Sequence, residues 1–201
     1  RLPRRPVLVV SAQSKVTNRL IQLARDAVAR RADASDLEAR YATLLADLDL
    51  RPDLLDEELD ELRALIQGIT LVGDLTPRSL DRMMSYGERC SVRIVAAAFT
   101  AAGLPSRAAM SYDLGLLTDS HHGEAHVKEE SYARLRAGLD AILADGVMPV
   151  VTGFIAKDAE GFITTIGRSG SDYTAPIVGR ALGAEAIEIW THASGVMSAD
   201  P

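Results

Sequence analysis

The chain has 201 residues, a net charge of -6, a hydrophobic fraction of 47% and an aromatic fraction of only 4%. This size and composition suffice for one sizeable domain with a core of Ala, Leu, Val and Ile, which suits an α/β protein with buried parallel strands. The acidic balance argues against nucleic-acid binding as the main function, and no apolar run is long enough to cross a membrane. The only cysteine, Cys90, excludes an internal disulfide and predicts a buried structural thiol in a reducing cytoplasm.

The first part of the chain predicts one strand followed by helices. Residues 7–11 form a short apolar run typical of a buried strand, and helical spacing follows from about 16 to 31. Strand, polar loop and helix make the first half of a βαβ unit. An apolar stripe from about 53 to 66 lies in an acid-rich stretch, which predicts a helix with a solvated acidic face; a cation-binding role is the minor alternative.

A long helix is predicted from Pro77 to Ala102, because Thr76 is a suitable cap and proline suits the first turn. Gly87 lies inside this helix, where glycine costs about 1 kcal/mol relative to alanine. Its presence indicates close approach by another chain segment or a ligand, or else tight helix packing. Glu88 follows it directly and is therefore a candidate site residue.

The second half alternates strands and helices, which predicts a single three-layer α/β/α domain with a mainly parallel central sheet. The predicted segments are a strand at 106–110, an irregular polar stretch at 111–128, a helix at 129–144, a strand at 147–151, a hairpin around 156–161, a helix ending near 182 and a strand at 186–190. Pro176 conflicts with a helix that begins at Ser171, so the helix either starts nearer Thr174 or has a distorted first turn.

A turn rich in glycine and serine, at 167–172, precedes the last helix, and such turns present backbone N–H groups to anions. Arg168 adds a forked cation suited to carboxylate or phosphate. The loops after parallel strands meet at one edge of the sheet, so this turn is expected to lie near the loop between Ser11 and Thr17. Arg168 and Glu88 would there hold the carboxylate and the ammonium of an amino acid; the alternative is that both are ordinary surface or paired charges.

Several blocks of sequence, in a characteristic order and spacing, carry a resemblance to one family. They are residues 9–12 with 17–20, 87–89, 153–155, 164–175, 181–184 and 190–201. On these blocks the chain resembles the kinase domain of aspartokinases, in the amino-acid kinase superfamily. The resemblance implies a carbamate kinase-like α/β/α sandwich and the phosphorylation, by ATP with Mg²⁺, of the side-chain carboxylate of L-aspartate to an acyl phosphate.

The resemblance also implies a role for each matching residue. The residues that would bind the amino acid are Thr17, Glu88, Arg168, Gly170 and Ser171. The residues that would organise the phosphoryl-transfer centre, as catalytic residues, are Ser11 and Asp172. The residues that would bind the nucleotide are Thr191, His192, Gly195 and Met197. No metal site made of protein side chains alone is predicted, because the histidines at 121, 122 and 126 lie in a polar loop without cysteine.

Residues 1–201 are expected to be a partial catalytic domain, cut at both ends, because the family's first glycine-rich strand, the end of its nucleotide pocket and its regulatory domains have no counterpart here. For the full-length form the resemblance implies a cytoplasmic homo-oligomer in lysine and threonine biosynthesis, with small-molecule partners and neither nucleic acid nor membrane. The sequence His192-Ala193-Ser194 replaces two acids of the family's nucleotide loop. Two alternatives follow: a relative acting on another carboxylate, or a low-activity or inactive kinase-like binding or assembly subunit.

Overall fold

The computed structural model describes residues 5–167 and 170–190, and its centre is a sheet of three parallel strands. These strands are β1 (Leu8–Val10), β2 (Ser106–Ala109) and β3 (Met148–Thr152), in the order β1-β3-β2. Val10 aligns with Thr152 and Ala109 with Val151, so the three strands end at the same edge. A separate antiparallel hairpin follows, made of β4 (Ile155–Lys157) and β5 (Ile163–Thr165).

Six helices surround these strands in the described part of the chain. They are α1 (Val16–Val28), α2 (Ser35–Asp47), α3 (Asp56–Val72), α4 (Pro77–Ala101), α5 (Ser131–Ala144) and α6 (Gly170–Leu182). None of them combines the length and the apolar character that a membrane crossing requires.

Successive side chains of β3 point to opposite faces of the sheet and bury it on both sides. Val150 packs with Val92 of α4, whereas Val151 packs with Leu139 of α5 and Val178 of α6. Helices therefore cover both faces, and the predicted three-layer α/β/α architecture with a mainly parallel sheet is confirmed.

The helices α1, α2 and α3 form the largest part of the core together with α4. Leu20, Tyr41, Leu62 and Tyr86 are each at most 2% exposed and contribute one residue from each of the four helices. The sequence reasoning did not predict α2, because only Leu37, Tyr41 and Leu45 mark its buried face and its N-cap residue is an alanine without a capping side chain. It also ended α3 too early, since this helix continues to a left-handed glycine at 73.

The acid-rich helix α3 is not solvated along its whole acidic face, so that prediction is wrong at Glu58. The side chain of Glu58 is fully buried, and its carboxylate lies 2.5 Å from the Nε atom of Arg93. Glu61 accepts a hydrogen bond of 2.8 Å from Arg89. The misjudged glutamates face arginines on α4 that are 28 to 35 residues away in sequence, so a local pattern could not show these pairs.

One prediction about the end of the chain is also wrong. Residues 186–190 form neither helix nor strand, because this apolar run has no neighbouring strand among the described residues to complete its backbone hydrogen bonds. Of the two alternatives for the last helix, a start near Thr174 is excluded, because α6 begins at Gly170 and contains Pro176. The proline removes one helical bond to the carbonyl of Asp172, and Asp172 is exposed, so water can replace that bond.

Candidate active site

The site begins where β1 and β3 end side by side. The Gly153 amide donates a 2.8 Å hydrogen bond to the Val10 carbonyl, which places the loop that starts at Ser11 beside the loop that follows β3. A Cβ atom added to Gly153 would lie 2.6 Å from both Cβ and Oγ of Ser171. Only glycine fits there, and the start of α6 therefore contacts the edge of the sheet where ligands of open α/β proteins bind.

Helix α4 forms the next wall, and Gly87 is the point of closest approach. A Cβ atom at Gly87 would lie 2.7 Å from the Cβ of Ala12 and 3.5 Å from Val16. The sequence-based interpretation of this glycine as a place where another chain segment comes close is confirmed. Next to it, Glu88 Oε1 accepts a 3.0 Å hydrogen bond from the Ala12 amide. Two sequence-distant blocks, 11–17 and 87–88, are thereby joined.

The carboxyl group of Glu88 has the properties of a ligand-binding group. Its side chain is 3% exposed, and burial raises its pKa to about 7 although the Ala12 amide favours the ionised form. Its second oxygen, Oε2, has no hydrogen-bond partner among the described residues. Buried polar atoms are nearly always paired in folded proteins, so this oxygen suits a cation supplied from outside the chain. An ordinary surface charge would have neither feature.

The remaining described candidates lie around the same edge. Thr17 occupies the first turn of α1, which starts from Lys15 in the left-handed conformation (φ 66°) without a side-chain cap. Ser11 is exposed in the preceding loop. Gly170 and Asp172 belong to the first turn of α6, where Gly170 is buried and Asp172 is exposed. The structure thus brings the hydroxyl-bearing loop after β1, the Glu88 carboxylate and the start of α6 to one end of the sheet.

Five predicted residues lie outside the part of the chain that the structure describes. They are Arg168 and the nucleotide-loop residues Thr191, His192, Gly195 and Met197. Their roles, like those of the residues described above, stay predictions.

Phe154 lies in a strained turn beside the candidate site, a feature that sequence reasoning missed. Its φ is +63°, and the Ile155 amide lies 2.6 Å from the Gly153 carbonyl, which closes a three-residue turn around it. This kind of γ-turn is rare and strained, and such strain concentrates at functional sites. The Phe154 amide also donates to Thr174 Oγ1 at 3.1 Å, which ties the turn to α6. Residue type gave no signal, because a bulky aromatic residue does not predict a positive φ.

Two of the three histidines of the polar loop pair with separate carboxylates. His122 Nδ1 lies 2.8 Å from Asp81 Oδ2, and His126 Nδ1 lies 3.0 Å from Asp119 Oδ2. Over the described residues, no group of three or more His, Cys, Asp or Glu side chains could hold a metal ion. Cys90 is buried, as predicted, and burial raises the pKa of its thiol to about 12.

An open cavity of about 450 Å³ adjoins the glycine-rich turn. Residues 124–127 form one wall, and Ile166, Gly167 and Tyr173 form the other. The cavity therefore lies at the start of α6, where helix N–H groups favour anions.

Comparison with known proteins gives one consistent result. The sequence model described as the amino acid kinase family matches residues 1–201. Aspartokinase 1, chloroplastic, of Arabidopsis thaliana is 34% identical over 98% of this chain, which corresponds to 36% of that protein. The aspartokinase of Thermus thermophilus is 39% identical over 62% of this chain and 30% of its own length.

A solved structure agrees with these sequence matches. The E. coli aspartokinase III in complex with aspartate and ADP superposes with a TM-score of 0.75 and 25% identity, covering 94% of this chain and 43% of that one. The chain thus spans little more than a third of the Arabidopsis relative and less than half of the E. coli chain.

Proposed function

The chain belongs to the amino acid kinase family, and from that premise we propose that it is the catalytic part of an aspartate kinase. The reaction transfers the γ-phosphoryl group of ATP to the side-chain carboxylate of L-aspartate and yields an acyl phosphate and ADP. The observation that carries the proposal is the unpartnered oxygen of the buried Glu88 beside the loop after β1. The relatives named aspartokinase, and the neighbour whose complex contains aspartate and ADP, support the choice of substrates.

Glu88 binds the ammonium of the amino acid in this proposal. Ionised Glu88 supplies one negative charge in a desolvated position, where a charge-assisted hydrogen bond is strong. Thr17, Gly170 and Ser171 surround the amino acid from the starts of α1 and α6, and Arg168 binds its α-carboxylate. The ammonium and the α-carboxylate of the amino acid are then both bound, and the side-chain carboxylate is free to react.

Phosphoryl transfer to a carboxylate needs no general base, because the acceptor oxygen is already ionised. The bond that forms joins this oxygen to the γ-phosphorus, the bond that breaks leads to ADP, and no proton moves. The protein must align the groups and neutralise charge. Ser11 and Asp172 are exposed, and their side-chain oxygens would contact the phosphoryl-transfer centre. The first turn of α6 adds N–H groups that suit phosphate.

Mg²⁺ fits this site as a companion of the nucleotide. The described residues offer no cluster that would hold a metal alone, but Mg²⁺ is usually bound by one or two carboxylates together with substrate phosphates. Asp172, exposed in the first turn of α6, would be the carboxylate in that role. When bound, the ion neutralises charge on the phosphoryl group. The nucleotide itself would be held by Thr191, His192, Gly195 and Met197.

A second candidate function rests on the sequence His192-Ala193-Ser194, which lacks acidic residues. In that case the amino-acid site would bind another carboxylate substrate, or the protein would bind the amino acid and have little or no kinase activity. For the main proposal we add the properties of the family: supply of lysine and threonine biosynthesis, a cytoplasmic location, and a homo-oligomeric full-length form.

Trapping of the acyl phosphate tests the function. The full-length protein is incubated with ATP, Mg²⁺, hydroxylamine and L-aspartate, and both ADP and the hydroxamate are measured. Equal amounts of the two products are expected with L-aspartate. Succinate, which keeps both carboxylates but lacks the ammonium, is expected to react poorly. Failure of L-aspartate to give hydroxamate would refute the proposal, and product with another amino acid would favour the second candidate.

A further inference from the structure

Asp81 is the centre of a buried polar cluster that the proposed reaction does not use. Its side chain is 1% exposed, and Thr165 Oγ1 donates a 2.7 Å hydrogen bond to Oδ1. Oδ2 accepts from the Gly123 amide at 3.1 Å and lies 2.8 Å from His122 Nδ1. A buried carboxylate is costly unless it is paired in this way. Asp81 therefore joins α4, β5 and the loop of residues 119–127.

The position of this cluster relates it to the candidate site. Asp81 and Glu88 are seven residues apart on α4, two turns or about 10 Å, so they share one face of the helix. Glu88 bonds to the amide of Ala12 after β1, and Asp81 bonds to Thr165 at the end of β5. One helix thus holds both the loop after β1 and the strand that leads into the glycine-rich turn.

Thr165 lies two residues before Gly167, where the glycine-rich turn begins. Its hydrogen bond to Asp81 therefore holds the chain just before that turn. The other side of the turn is fixed as well, because Gly167 lies beside Gly123 and Glu124 of the loop that Asp81 holds through His122. The Ala125 amide adds a 2.9 Å hydrogen bond to the Thr165 carbonyl. Both chain segments that border the turn are therefore attached to one carboxylate.

We propose that Asp81 is a positioning residue that sets the distance between Glu88 and Gly167, where the glycine-rich turn begins, with Thr165 and His122 as its partners. The inference rests on the proposed function for its kinetic consequence. Asp81 touches neither substrate, and its effect passes through Thr165 to Gly167. Loss of the Asp81–Thr165 bond lets Gly167 and the start of α6 move away from Glu88, so the amino acid binds less well.

The chain offers a matched control for this idea. Thr164 and Thr165 are adjacent on β5 and both fully buried, but Thr164 Oγ1 pairs with Thr118 Oγ1 at 2.6 Å rather than with Asp81. Thr165→Val and Thr164→Val each remove one buried hydroxyl of the same size from the same strand. If the Asp81–Thr165 bond matters only for folding, the two variants should change the KM for L-aspartate to a similar extent. If Asp81 positions the turn, Thr165→Val should raise that KM more than Thr164→Val.

Steady-state kinetics of the full-length protein provide the first test. We expect Thr165→Val to raise the KM for L-aspartate about tenfold or more, since a hydrogen bond to a charged group is lost. Thr164→Val keeps the wild-type KM for L-aspartate within about twofold, and Thr165→Ser, which retains the hydroxyl, restores it. Equal effects of the two valine variants, or no rescue by serine, would overturn the inference.

Amide hydrogen exchange separates a failure of this inference from a failure of the proposed function. If the wild type phosphorylates no carboxylate, the proposed function fails, and exchange alone decides the positioning role. Peptides covering 166–175 are expected to exchange faster in Thr165→Val than in Thr164→Val, while peptides of α1 stay unchanged in both. Unchanged protection of 166–175 in Thr165→Val would overturn the inference whatever the activity.

Discussion

At the scale of single residues, Gly87 shows how a missing side chain shapes the site. The helix packs against Ala12 at a distance that leaves no room for a Cβ atom, and this contact brings Glu88 to the Ala12 amide. Gly68 on α3 is the opposite case, because it is exposed and nothing lies within 4 Å of a Cβ placed there.

These two glycines give a paired prediction for stability. Gly87→Ala is expected to lower the free energy of unfolding by about 1–3 kcal/mol, the usual cost of overpacking. Gly68→Ala is expected to raise it by up to about 1 kcal/mol, because alanine favours helix and meets no neighbour. Urea unfolding of the two variants measures both changes. A stable, fully active Gly87→Ala protein would show that the loop after β1 is not packed against α4.

Sequence reasoning selected Gly87 because glycine is unusual inside a helix, Glu88 because it follows that glycine, and the turn at 167–172 because it is rich in glycine and serine. It missed Phe154, whose strained backbone is set by contacts with α6 and β5 rather than by its own preference. It also gave Asp81 no role. A buried carboxylate on a helix looks like any surface aspartate until its partners, 41 to 84 residues away in the chain, are known.

At the scale of elements, the contact between α3 and α4 depends on buried charges. Glu57 and Glu58 both pair with Arg93, but the side chain of Glu57 is 68% exposed whereas that of Glu58 is fully buried. Arg89 lies 3.7 Å from Glu58 as well. Burial raises the pKa of Glu58, while both arginines oppose that shift.

Removal of these two glutamates is expected to differ strongly in cost. Glu58→Ala removes the fully buried carboxylate, so that Arg89 keeps only Glu61 and Arg93 only the exposed Glu57, and it lowers the free energy of unfolding by about 3–5 kcal/mol. Glu57→Ala removes an exposed pair and costs less than about 1 kcal/mol. The double variant Glu58→Met/Arg93→Met recovers much of the loss, because no buried charge remains unpaired. Thermal and urea unfolding measure all three, and equal costs for the two single variants would contradict the buried network.

The elements differ in how far a local pattern predicts them. The strands at 8–10 and 148–152 and the helix at 77–101 have strong apolar runs or caps, and their predicted positions agree with the structure to within one or two residues. The helix at 35–47 is held by packing onto the core rather than by a cap or a broad apolar face. Residues 186–190 have strand-like composition, but a strand also needs a neighbour, which composition does not supply.

At the scale of the whole molecule, the sheet edge collects groups from distant parts of the chain. The loops after β1 and β3, the middle of α4 and the start of α6 meet there because parallel strands align their ends. Apart from α2 and the strand wrongly expected at 186–190, the order of strands and helices could be predicted from sequence, and so could this meeting point. The distances that leave Glu88 with one bonded and one unpartnered oxygen could not, since they depend on side-chain packing.

The pH dependence of amino-acid binding tests the central role of Glu88 most directly. The pKa of Glu88 is raised to about 7, so near pH 6 the carboxyl is mostly protonated and cannot pair with an ammonium. In the full-length wild type we expect the KM for L-aspartate to fall as the pH rises through about 7 and then to level off. Glu88→Gln is expected to raise this KM about tenfold or more and to abolish its change around neutral pH. The same KM and the same pH profile in wild type and Glu88→Gln would contradict the assignment of Glu88 as the ammonium-binding residue.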